Sequence, residues 1–87
     1  MPGMSPTVNA LVQYLVVGKL YRLAGHHYVF SERYGALVGE LSSGEVILVR
    51  GATPSIYPNE VVVLMCSSHG MGEINLICKN ELERLGG

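Results

Sequence analysis

The sequence contains no aspartate, only two cysteines, and 15% charged residues. Each scarcity excludes a class of function. Without aspartate, the serines beside His69 lack the residue that orients the imidazole in a Ser-His-Asp triad. Cys66 and Cys78 are too few for the disulfide framework that sustains small secreted domains, so both read as reduced thiols. Six Lys and Arg against seven Glu leave a formal net charge of −1, which removes the basic excess of an electrostatic nucleic-acid binder. No apolar run approaches the roughly 18 residues that a membrane-spanning helix needs, and no basic leader precedes an apolar segment. The expectation is a soluble, cytoplasmic protein with neither membrane nor nucleic acid as partner.

What is present fits one domain over residues 1–87, with 48% hydrophobic residues to build its core. Ser5-Pro6 has the form of a helix N-cap followed by proline at the first helical position. Val8, Leu11, Val12 and Leu15 then follow the helical spacing, predicting a short helix near residues 6 to 15. From Lys19 onward the period is two, punctuated by glycine and proline as in all-β barrels and sandwiches. Strands are predicted at Lys19 to Leu23, His27 to Ser31, Ala36 to Leu41, Val46 to Val49, Glu60 to Ser67 and Glu73 to Lys79. Gly39 inside its strand marks a bend or bulge. Gly51 to Asn59, with Pro54 and Pro58, reads as the long loop, and Asn80 to Leu85 as a terminal helical turn. In the hairpin joined through His69 to Gly72, Val62, Leu64 and Cys66 are expected on the core face with Ile74, Leu76 and Cys78. That leaves Val61, Val63, Met65 and Ile77 outward, an apolar face expected to serve as a homo-oligomer interface.

The helical stub, short bent strands and terminal turn, and above all Gly35 to Leu41 followed by Val46 to Val49, resemble the SH3-like and Sm-like small barrels over roughly residues 16 to 85. The resemblance implies a mainly β barrel of about five strands, with a short N-terminal helix and a C-terminal helical turn. It also implies edge-to-edge oligomerisation and, as one alternative, RNA binding. Ser42-Ser43-Gly44-Glu45 stands where the Sm family carries its acidic-asparagine loop for uridine, so the RNA alternative ranks last.

No residue set reaches the standard of a catalytic or metal site. Cys66 with His69 is the one tight pair of soft ligands, and buried core thiols are the simpler reading, so no metal, cofactor or catalytic residue is expected. Ser67 to Gly72 mixes hydroxyls with glycine N–H groups, as anion-binding nests do, and Arg33 with Tyr34 offers a charge beside a stacking ring. The expected contacts for a partner or ligand are therefore Arg33, Tyr34, Ser68, His69, Gly70 and Gly72. The functional expectation is a non-enzymatic binding module, a small phage-type accessory or inhibitor protein acting by protein-protein interaction. The alternative is an oligomeric binder of a small anionic ligand such as a nucleotide.

Overall fold

The computed structural model describes residues 5–86. One helix, α1 (Pro6–Tyr14), precedes seven strands: β1 (Leu20–Leu23), β2 (His27–Phe30), β3 (Leu37–Leu41), β4 (Val46–Pro54), β5 (Val61–Ser67), β6 (Gly70–Leu76) and β7 (Leu82–Arg84). All pair antiparallel in one sheet of order β3-β2-β6-β5-β4-β1-β7. The chain is mainly β, with seven strands where the barrel resemblance implies about five. Several of them belong together. Leu20 faces Leu48 and His27 faces Leu41, so seven residues advanced along one side match seven retraced along the other. β1 with β2 and β3 with β4 thus form one long hairpin, interrupted where the chain bends at Ala24 to His26.

The helix starts as its local chemistry dictates. Ser5 Oγ accepts the Val8 N–H at 3.2 Å, and Pro6 occupies the first turn, where no intrahelical donor is lost. Val8 and Leu11 are buried against the sheet. The other end is locked by tyrosines. Tyr21, 0% exposed, donates its hydroxyl to the Tyr14 carbonyl at 2.6 Å and accepts the Val16 N–H at 2.8 Å. Arg84 Nη1 also donates to that carbonyl, and the Arg84 backbone N–H donates to the Tyr14 hydroxyl at 2.8 Å. Tyr21→Phe keeps the ring and strands the Val16 amide, so an expected loss of about 1 to 3 kcal/mol is readable by urea denaturation.

Three expectations need correction. First, β4 runs through Gly51 to Pro54 instead of stopping before them. β1 covers only Val46 to Leu48, so this later stretch pairs with β5 alone, and a proline without a donor is tolerated on an open edge. Arg50 is the extra residue of a bulge between Val49 and Gly51. Second, the C-terminal helical turn is a 3-10 turn, Lys79–Glu81, followed by β7 on β1. Glu81 organises that turn: its carboxylate accepts the Ile77 and Cys78 N–H groups and meets His27 Nε2 at 3.2 Å.

The third correction concerns which face is the core. The β5–β6 connection is a two-residue turn, Ser68-His69, closed by Ser67 opposite Gly70. This register sets Val61, Val63 and Met65 opposite Leu76, Ile74 and Gly72, and the three are fully buried. Val62, Leu64 and Cys66 take the other, half-buried side. A shift of one residue exchanges the two faces, because successive strand side chains alternate. The face expected to hold an oligomer together is therefore the protein's own core, and of the four residues assigned to it only Ile77 is exposed.

Candidate functional site

The two turns singled out from the sequence do not share the cleft that His69 lines. In the β2–β3 turn, Ser31 Oγ accepts the N–H groups of Arg33 and Tyr34, each at 3.3 Å. The Arg33 guanidinium lies 5.3 Å from the centre of the exposed Tyr34 ring. Glu32 in the same turn pairs with Arg50, tying the turn to the β4 bulge.

In the β5–β6 turn, Ser67 Oγ accepts the His69 N–H at 3.1 Å and lies 3.4 Å from the Gly70 carbonyl. His69 Nε2 is 3.1 Å from Glu45 Oε1 in the β3–β4 turn. Ser67 Oγ and the His69 N–H are thus engaged within the turn, and the His69 ring is set beside a carboxylate. Gly70, at φ +112, supplies the backbone conformation the tight turn requires. Gly72 lies outside the turn altogether. It sits within β6, where a Cβ would come 2.5 Å from Val29 Cγ1 and 3.1 Å from the Phe30 carbonyl oxygen, so it serves the packing of β6 against β2.

Glu45 is itself held in place. Its carboxylate accepts the Ser42 N–H at 2.6 Å, which holds its pKa below the ordinary value; desolvation opposes this and His69 adds a smaller pull the same way. A carboxyl depressed in the folded state contributes stability that is complete above its unfolded pKa and is lost as pH falls through its folded value. Glu45→Gln is expected to flatten the fall in stability below about pH 4.3, read from urea midpoints across an acid series.

The structure brings His69 to β3. A cleft of about 220 Å³ opens between β3 and the β5–β6 turn, lined among others by Val29, Val38, Gly39, Leu41, His69 and Met71. Arg33 and Tyr34 do not line it. On its other side β3 borders a shallow depression shared with Tyr28 and Leu37. β3 pairs with β2 alone and ends the sheet. Leu37 and Val38 are 59% and 60% exposed, with Tyr28 and Met71 exposed nearby. Glu40 is the charged residue on this strand; its carboxylate lies 2.7 Å from His26 Nε2, and the His26 ring meets Tyr28 edge-on at 4.8 Å.

No protein-family model, curated protein or solved structure matches the chain. Among the described residues no three His, Cys or Glu side chains converge as metal ligands, and no helix is long and apolar enough to cross a membrane. Leu37, Val38 and Met71 are not among the residues expected at a site, because exposed and buried aliphatic residues look alike in a sequence. The one local signal was the absence of polar alternation in Ala36-Leu37-Val38-Gly39.

Proposed function

We propose that this protein is a non-enzymatic binding module, a small accessory or inhibitor protein of the phage type, that acts by protein-protein interaction through the β3 edge. The observation that carries the reading is an edge strand with bulky apolar side chains in water, Leu37 and Val38, and no proline or lysine to guard it. A strand of this kind presents unpaired backbone groups together with apolar area, which is how extended segments of other proteins are captured. The SH3-like or Sm-like barrel is part of the same proposal. It is supported by the long β1–β2/β3–β4 hairpin and by the return of β6 to β2 at Glu73 and Phe30, a pairing that a closed barrel requires.

The anionic-ligand alternative has less to rest on. His69 is paired with Glu45, Arg50 with Glu32, and Arg33 stands away from the cleft. A cleft of about 220 Å³ is also smaller than the roughly 300 to 1,000 Å³ usual for small-molecule sites.

Affinity capture from the native host tests the proposal, comparing the wild type with Leu37→Lys/Val38→Lys, then remixing each with the purified partner. Both side chains are exposed, so the double variant is expected to fold within about 1 kcal/mol of the wild type. It is expected to bind the partner at least about ten-fold more weakly. Equal affinity overturns the assignment to β3. So does a nucleotide that stabilises the protein by about 2.7 kcal/mol at 100 times its dissociation constant.

A further inference from the structure

β3 has a gap in its side-chain row. Residues paired across antiparallel strands share a face, so Gly39 looks the same way as its partner Val29, a residue of the cleft lining. A Cβ built on Gly39 meets no atom within 4 Å. Its backbone is not of the positive-φ kind that only glycine favours. Neither strain nor crowding therefore calls for glycine at this position, and its effect is to leave the cleft open beneath the edge strand. Gly72 is the opposite case, a glycine with no room for a side chain.

The surroundings of the cleft have a definite charge. Glu40, next to Gly39 on β3, faces the opposite way with Tyr28 and holds its carboxylate 2.7 Å from His26 Nε2, and His69, on the other wall of the cleft, is paired with Glu45. No Lys or Arg is among its lining residues. A cleft too small for most free ligands, floored by Val29 and Leu41, with the Glu40 carboxylate one residue along on the opposite face of the strand, matches one bulky apolar side chain whose neighbour in an added strand is a cation.

We propose that the cleft beside Gly39 is a specificity socket for an extended segment of a partner protein, which adds as a strand to the open side of β3, inserts one large aliphatic or aromatic side chain over Gly39, and sets a neighbouring Lys or Arg against Glu40. The inference rests on the reading of β3 as an interaction edge and adds to it the chemistry of the occupant. Backbone pairing with β3 supplies affinity that is indifferent to sequence, and the socket together with Glu40 on the opposite face selects which segment binds.

Selection of short random peptides displayed against the folded protein tests this, followed by titration of the enriched peptides with the wild type, Gly39→Val, Glu40→Gln and Val38→Lys. The enriched peptides are expected to share one bulky apolar residue with a Lys or Arg beside it. Gly39→Val is expected to weaken them at least about ten-fold, Glu40→Gln about three-fold with a smaller salt dependence, and replacement of the peptide's apolar anchor by Ala about ten-fold against the wild type. The last arm needs no protein variant and decides the matter even if Gly39→Val fails to fold. Binding is expected to slow hydrogen exchange along the β3 amides. Peptides that lose affinity with Val38→Lys yet ignore both Gly39→Val and anchor truncation overturn the socket and leave the β3 reading standing. Peptides indifferent to all three variants, enriched in acidic residues, or not enriched at all overturn the inference, and indifference to Val38→Lys also removes β3 as the interaction edge.

Discussion

Gly72→Val is expected to be among the most damaging single substitutions in this chain, although valine suits strands and its neighbours are apolar. The added Cβ would fall 2.5 Å from Val29 Cγ1 and 3.1 Å from the Phe30 carbonyl oxygen, with Met65 Cε at 3.7 Å. Val29 can rotate to yield some room. The Phe30 carbonyl is backbone, held beside the one residue pair, Phe30 and Glu73, through which β2 and β6 join. Relief therefore means moving β2 away from β6. Overpacking typically costs about 1 to 3 kcal/mol, which is the range expected for Gly72→Ala, and the two further methyl groups of valine are expected to exceed it. In a domain of this size each kcal/mol lowers Tm by roughly 4 to 8 °C, so a thermal melt separates the two variants. A Gly72→Val protein melting within about 2 °C of the wild type would refute this account of the β2–β6 junction.

The second large effect is a contrast between neighbours. Val62→Glu and Val63→Glu make the same change one residue apart. Val63 is 0% exposed and opposite the buried Ile74, so a carboxylate there has no solvent and no cation, and the variant is expected to be unfolded at neutral pH, a loss of more than about 4 kcal/mol. Val62 pairs with Thr53 and Asn75 on the half-buried side, where the carboxylate reaches water and the expected loss is about 1 kcal/mol. Far-ultraviolet circular dichroism of the two variants reads the register of β5 directly. A folded Val63→Glu beside an unfolded Val62→Glu would show the opposite face to be the core.

That contrast also marks where the sequence ceased to be informative. Val61 to Cys66 is apolar at every position, so the run shows no alternation from which the phase of the strand could be read. The phase comes from a two-residue turn at Ser68-His69 and from the room that Gly72 leaves for Val29, and neither is visible in a window around Val63. The helix was legible because its signal is local: Ser5 caps, Pro6 starts, and Val8 and Leu11 fall on one face. The strand at Glu60 to Ser67 was legible in extent for the same reason. For the site, loop position pointed to His69 as a polar contact, and the structure places it on a wall of the cleft beside β3. Its partner Glu45 lies 24 residues away, and the edge position of β3 depends on every other strand having found its neighbour. Leu37 and Val38 carry no mark of exposure in their own identity.

The lock at the end of α1 bears on how the chain can be synthesised. Among the described elements, the helix is the first to leave the ribosome and β7 the last, yet Arg84 supplies both a backbone and a side-chain donor to Tyr14. A nascent chain still lacking β7 holds a helix whose last carbonyl meets Tyr21 and water in place of Arg84. Vectorial folding can assemble the long hairpin and the β5–β6 ribbon as they emerge, but the lock on the helix closes only once β7 has emerged and paired with β1, so the first of the described elements made is among the last to be secured.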